Sequence, residues 1–350
     1  MCAMRDSCAL VIALVLVLFA SACQAPAPAN PPPGVSVALP VWPPPPAEPR
    51  IRYVRSVSGP ADWGIVKSVF RRVIDALAGR GDEHFVRPAG VAERNGVLYV
   101  ADPGAQALWI LDAAQNRTVK VTEIGNAPLF SPVALAVRPD GAVFVADTLL
   151  KKVFLLDREG KLIRIAVRED LERPAGLAYD AAVERLYVAD SASHRIAAYG
   201  PDGVLVRAWG RGGTHDGEFN HPTYIALDKT GTPLVTDALN FRVQAFDREG
   251  RFLWKLGRHG DGSGDFAAPK GLAVDSAGHV YVVDALFDAV QIFDRDGAFL
   301  LSFGERGSQA GQFWLPAGLF IGPQDRIYVA DAYNRRIQVF ALGPDKEVDK

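Results

Sequence analysis

From residue 82 onward, apolar and polar positions follow one another in short runs of period two, separated by brief polar segments rich in glycine, aspartate and asparagine. The clearest stretch reads 271–275 (GLAVD), 280–284 (VYVVD), 290–294 (VQIFD) and 299–304 (FLLSFG). Alternation marks a strand with one buried face, and a wholly apolar run marks a strand buried on both. The connecting segments 276–278 (SAG) and 295–297 (RDG) are short and contain glycine, as hairpin turns require. The stretch therefore predicts a four-stranded meander. One such sheet cannot bury both of its faces alone, so it must stack against neighbours, and radial stacking gives a propeller.

Six copies of this unit follow one another. Each starts an apolar run at a proline (Pro88, Pro132, Pro174, Pro222, Pro269, Pro316) and ends its second strand at an aspartate (Asp102, Asp147, Asp190, Asp237, Asp284, Asp331). The aspartates are spaced by 45, 43, 47, 47 and 47 residues, which is room for four short strands and their turns. Three residues before each proline stands an apolar side chain: Phe85, Leu129, Leu171, Phe219, Phe266 or Phe313. The sixth unit stops after 336–340 (RIQVF), one strand short. Residues 50–59 (RIRYVRSVSG) have the pattern of the outer strands 251–257 and 298–304, so this early segment is expected to complete the last blade and remove two open sheet edges. Between them, Ile65, Val66, Val69, Phe70, Val73, Ile74 and Leu77 recur at helical spacing before Gly79, which predicts an amphipathic helix over about 62–78, packed on the propeller's end or docked to a partner or a membrane. The expected fold is all-β: a six-bladed propeller of four-stranded antiparallel blades, closed by an N-terminal strand, with one inserted helix.

The segment 331–340 (DAYNRRIQVF) resembles the signature of the NHL repeat, and 237–246 follows it as well. The resemblance covers about 82–340 and is strongest in units four to six. It implies a six-bladed propeller that binds a ligand at one face. The Gly-His and Trp-Asp pairs of another propeller family do not recur.

The N-terminus changes the expected location. An apolar run at 9–20 follows Arg5 and precedes Ser21-Ala22-Cys23, the layout of an export signal, and at about 12 residues it is too short to cross a bilayer. Ala20-Ser21-Ala22-Cys23 resembles a bacterial lipobox, although Ala20 stands where leucine is usual, and an ordinary cleavage site is the alternative. Cys23 would then carry lipid, and Gln24 after it implies the outer membrane. Cys2 and Cys8 lie in the part to be removed, so the mature chain would hold no internal disulfide. Residues 25–49 contain 11 of the 25 prolines and predict a polyproline tether. The expected organisation is a signal peptide (1–22), lipidated cysteine and tether (23–49), propeller (50–341) and polar tail (342–350).

Charge narrows the partners. With 38 Lys and Arg against 40 Asp and Glu, the chain has no bulk positive field for nucleic acid. A monomer that recognises a protein, peptide or small ligand is expected, anchored to the membrane by lipid alone, with neither cofactor nor metal. In a propeller, the loops leading into the innermost strands and those after the second strands share one face, where function collects. Candidate ligand-binding residues on those loops are Arg87, Arg173, His194, His221, Tyr224, Asn240, Lys270, Trp314, Tyr333 and Asn334; capping of their own loops is the alternative for each. The six aspartates read as acceptors for backbone N–H groups rather than as a carboxylate cluster. His194 and His221 support a second reading, a metal-assisted lyase or hydrolase, but a catalytic zinc usually takes three protein ligands. A calcium site of the lactonase type would find only Glu172 and Asn220. No nucleophile–base set is visible for catalysis.

Overall fold

The structure, a computed structural model, describes residues 39–68, 74, 77, 81–167 and 171–343. The segments expected to be a leader and the first part of a tether, with Cys23 between them, lie outside the described residues, as does the expected tail from 344. Five meanders follow in order. Blade 1 comprises Gly90–Arg94, Val97–Asp102, Ala107–Asp112 and Arg117–Val121; blade 2 comprises Pro132–Val137, Val143–Asp147, Lys152–Leu156 and Leu162–Ile165. Blade 3 is built of Pro174–Asp180, Arg185–Asp190, Arg195–Tyr199 and Leu205–Trp209. Pro222–Leu227, Pro233–Asp237, Arg242–Phe246 and Phe252–Leu256 form blade 4, and Pro269–Val274, Val280–Asp284, Ala289–Phe293 and Phe299–Phe303 form blade 5. The innermost strands touch in ring order, and that of blade 6 touches that of blade 1.

Blade 6 takes Leu319–Ile321, Ile327–Asp331 and Arg336–Leu342 from the C-terminal end and Ile51–Val57 from the N-terminal end. The closing pair runs antiparallel from Ile51 opposite Leu342 to Val57 opposite Ile337. The tether is shorter than expected: Val41–Trp42 pairs with Ile51 and Arg52 as a fifth strand of this blade. The Trp42 ring lies 5.7 Å from Phe303 and 5.8 Å from Phe340. A tryptophan with an apolar wall within reach gains more by covering it than by staying solvated.

The core is divided into six apolar layers, one between each pair of neighbouring blades. Period two produces them. In Val280–Asp284, Val280 and Val282 face blade 4, whereas Tyr281 and Val283 face blade 6. The six apolar residues ahead of the prolines are all buried and plug these layers; Phe219, Phe266 and Phe313 sit 5.5, 5.6 and 5.8 Å from Phe246, Phe293 and Phe340. Toward the axis the strands come very close. A Cβ at Gly176 or Gly318 would collide with the carbonyl oxygen of Thr223 or Ala89 in the next blade.

Most of the expected helix lies outside the described residues, Val69, Phe70 and Val73 among them; Ile74 and Leu77, which are described, are α-helical, whereas 62–68 are not. Where the helix should begin, a short 3₁₀ turn, Ala61–Trp63, delivers Trp63 and Ile65 to the layer between blades 6 and 1. Asn116 then binds the Val66 backbone on both sides, accepting from its N–H at 2.7 Å and donating to its carbonyl at 3.0 Å. Ile74 and Leu77 are exposed instead of packed on the propeller.

Candidate ligand-binding face

The loops leading into the innermost strands and the turns that follow the repeated aspartates lie together on what we call the upper face. The aspartates, all with no exposed surface, hold these two sets of loops to each other. Asp102 accepts the N–H groups of Val86 and Arg87 at 2.7 and 2.9 Å from one loop and that of Ala105 at 3.0 Å from the other. Asp147 does the same with Phe130, Ser131, Leu149 and Leu150, and Asp284 with Ala267, Ala268, Leu286 and Phe287. A carboxylate with its oxygens filled by backbone donors is a strut.

In blades 4 and 6 the strut is larger. The Asp237 carboxylate receives Asn220 N–H at 2.6 Å, Asn240 and Arg242 at 2.8 Å each and Gln244 at 3.2 Å. Burial pushes its pKa up, and these donors pull against that. Asp331 is held alike by Trp314, Asn334, Arg336 and Gln338, with the same balance. Asn240 and Asn334 also donate to the carbonyls of Gly213 and Gly307, both at 2.8 Å. Of the ten candidate residues, these two have their amide hydrogens in the fold.

Nearby, Glu218 tightens the loop before blade 4. It accepts the backbone N–H and ring nitrogen of His215, both at 3.0 Å, and Arg211 at 2.9 Å, and these bonds, the His215 backbone first, hold its pKa down at about 2. A lowered folded-state pKa means that this support is complete above the ordinary carboxylate range and is lost as pH falls through about 2. Amide protection across 211–218, relative to the intrinsic exchange rate at each pH, should fall between about pH 4.5 and 2 ahead of the blade cores, and Glu218→Gln should remove that dependence.

The remaining candidates surround the axis. Arg87 and Arg173 occupy the same position in blades 1 and 3, one residue before the proline, and both are exposed. Lys270 follows the proline of blade 5, so the three cations stand on alternate blades. Burial lowers the Lys270 pKa, Arg87 lowers it further and Asp284 partly offsets the two, so Lys270 and Arg87 are near enough to repel. Among the described residues, none of the three side-chain cations has a hydrogen-bond or ion-pair partner. Thr223, at the Lys270 position in blade 4, holds a buried hydroxyl likewise without a partner.

His194 and His221 meet edge to face with centroids 4.9 Å apart, both at positive φ. His194 Nδ1 accepts the His221 backbone N–H at 3.3 Å, and His221 Nδ1 pairs with Asn220 Oδ1 at 3.0 Å. Each ring thus has one nitrogen committed, and a neutral His194 that accepts at Nδ1 carries its proton on Nε2, a donor rather than a metal ligand. Among the described residues no group of three or more His, Cys, Asp or Glu is disposed to hold a metal ion. Trp314 and Tyr333 stack at 5.7 Å and remain about half exposed. Tyr224 sits lower, on an innermost strand against the layer between blades 4 and 5, where burial raises its phenol pKa. It lines a cavity of about 240 Å³ bounded by the innermost strands of all six blades, which the other nine candidates do not line.

Sequence reasoning missed one set of residues here. Two positions after the aspartates of blades 2, 4 and 5 stand Leu149, Leu239 and Leu286, and two before the prolines of blades 1 and 2 stand Val86 and Phe130, all exposed. Their constant offsets were a readable signal.

This architecture defines a six-bladed β-propeller whose loops gather on one face. Its last blade carries an NHL repeat, for which the family model matches residues 313–340. No curated protein sequence matches the chain. Among solved structures, virginiamycin B lyase from Staphylococcus aureus is 13% identical with a TM-score of 0.56, over 74% of this chain and 96% of that one. A gluconolactonase from Xanthomonas campestris is 17% identical with a TM-score of 0.58, over 83% and 98%. A chain of a nidogen/laminin complex is 15% identical with a TM-score of 0.53, over 70% and 86%. At these identities the likeness is one of fold, and folds of this kind host both enzymes and binding proteins.

Proposed function

We propose that this chain is a binding propeller that takes an anionic ligand group at the mouth of its upper face, displayed at a bacterial cell envelope by lipid on Cys23. The observation that carries the reading is the set of cations without partners, Arg87, Arg173 and Lys270, on alternate blades around one axis. Arg87 and Lys270 repel each other in the free protein, and an anion at the mouth relieves that repulsion. Asp284 offsets the charge on Lys270 only in part, and the oxygens of the aspartates on this face are taken up by loop amides.

Titration calorimetry with citrate, N-acetylglutamate and inorganic phosphate tests the proposal. At least one should bind, more weakly as salt rises, and Arg87→Ala, Arg173→Ala or Lys270→Ala should each cost about tenfold or more in affinity. Variants that bind as the parent does would remove the site. Anchoring is tested separately: incorporation of labelled fatty acid should require Cys23 and disappear in Cys23→Ser.

The rival reading, a metal-assisted lyase or hydrolase using His194 and His221, has the two adjacent imidazoles in its favour. It needs His194 to give up its bond from the His221 N–H or to change tautomer. Stoichiometric zinc or calcium that leaves the purified protein only with a chelator would favour it.

A further inference from the structure

We propose that the ligand of the upper face is a protein segment in which a carboxylate is flanked by large apolar side chains, the carboxylate entering the cationic mouth and the apolar groups lying on a surrounding arc. This rests on the anion-binding reading and extends it to the class of partner.

The arc is made of side chains that the fold does not use. Two residues after each repeated aspartate lies the tip of a turn, and in blades 2, 4, 5 and 6 it holds Leu149, Leu239, Leu286 and Tyr333, between 48% and 67% exposed. Gly104 and Ala192 occupy the same place in blades 1 and 3, so packing does not call for a large side chain there. Two residues before the prolines, Val86, Phe130 and Trp314 add exposed apolar surface in blades 1, 2 and 6. The arc runs through blades 4, 5, 6, 1 and 2 and breaks at blade 3, where Glu172, Arg173, Ser193 and His194 make the rim polar. Apolar groups repeated at one loop position and gathered on one face mark an interaction surface, whereas scattered ones need no explanation.

Size and charge choose the occupant. The axial cavity, about 240 Å³, is smaller than the roughly 300–1,000 Å³ that encloses a drug-sized ligand. A small anion at the mouth would leave an arc spanning five blades untouched, and only an extended or folded chain reaches both. Trp314 stacked on Tyr333 supplies the type of rigid aromatic anchor on which protein interfaces concentrate their affinity. The cations require the segment to bring a negative charge.

The test uses the full chain against synthetic peptides in which one glutamate lies between leucines and phenylalanines, matched peptides with glutamine in its place, and free N-acetylglutamate. The glutamate peptides should bind about tenfold or more tighter than both the glutamine peptides and N-acetylglutamate. Lys270→Ala should erase the preference for glutamate over glutamine. Leu239→Ser combined with Leu286→Ser should weaken both peptides by about tenfold while leaving N-acetylglutamate unchanged, and unchanged thermal unfolding of that variant excludes misfolding. If N-acetylglutamate binds as tightly as the peptides and the leucine variant behaves as the parent, the protein-partner inference fails while the anion site stands. If neither peptides nor free anions bind, both fail.

Discussion

A chain lacking residues 50–57 should show no cooperative unfolding transition by circular dichroism and should elute as aggregate. The lost strand supplies Ile51 and Val57, both without exposed surface, and Tyr53, which packs edge-on against Phe340 at 5.9 Å. Replacing one buried aliphatic side chain of this kind with alanine costs about 2–5 kcal/mol, so Ile51→Ala alone should lower the midpoint clearly. Losing the whole strand also leaves Arg336–Leu342 as an unpaired apolar edge and opens the layers on both sides of blade 6. The summed loss reaches the roughly 5–15 kcal/mol by which a native domain is stable at all. A truncated chain that melts cooperatively near the parent midpoint would show that the ring holds without its closing strand.

The largest effect of a single substitution should come from Arg242→Ala. This guanidinium donates to Asp237 at 2.8 Å and to the carbonyls of Thr214, His215 and Glu218, each at 2.8 Å, so it ties the blade 4 aspartate to the preceding loop. Its removal leaves a carboxylate without exposed surface short of its cation, a change that costs about 3–5 kcal/mol when a buried pair is broken from one side. Without Arg242, burial acts on Asp237 with less opposition, so its pKa should climb further. A raised folded-state pKa adds stability below the unfolded value and loses it as pH rises through the folded one. The deficit of Arg242→Ala should therefore be largest at neutral pH and shrink toward acid. Arg242→Lys should recover less than half, since an ammonium cannot reproduce the fork. Arg251→Ala, which breaks an exposed pair with Asp247, should cost far less, because solvent screens that pair. Equal losses for Arg242→Ala and Arg251→Ala by chemical denaturation would overturn the assignment.

Blade 5 bears on the same point. It has Ala289 where blades 4 and 6 have Arg242 and Arg336, and Phe287 where they have Asn240 and Asn334, yet its aspartate forms the same backbone bonds. The backbone part of the strut is thus common to the blades, and the arginine is an addition in blades 3, 4 and 6, with Arg195 of blade 3 standing 3.6 Å from Asp190.

How far the site could be read from the sequence differs by residue type. For Asn240 and Asn334 the motif pointed to polar groups at a functional face, and the structure shows their amides bound to loop carbonyls. For Arg87, Arg173 and Lys270 the same kind of reasoning arrived at side chains that have no partner among the described residues. Nothing in one dimension separates these cases, because loops some 27 residues apart in sequence decide which donors are already used. The apolar arc was overlooked for the opposite reason. A leucine in a strand-rich sequence reads as core until its position at a turn tip is known.

By itself the sequence determined the blade, its number of copies and the partner of the orphan strand. These follow from period two, from a 43–47-residue repeat and from a missing fourth strand, all of which are local or arithmetic properties of the chain. Tertiary structure alone decided that Val41–Trp42 joins the last blade as a strand, that Asn116 holds the Val66 backbone, and which polar side chains the fold had not already bound. Each of those outcomes is a competition for hydrogen-bond partners or apolar contact between segments distant in sequence, and only the folded arrangement brings the competitors together.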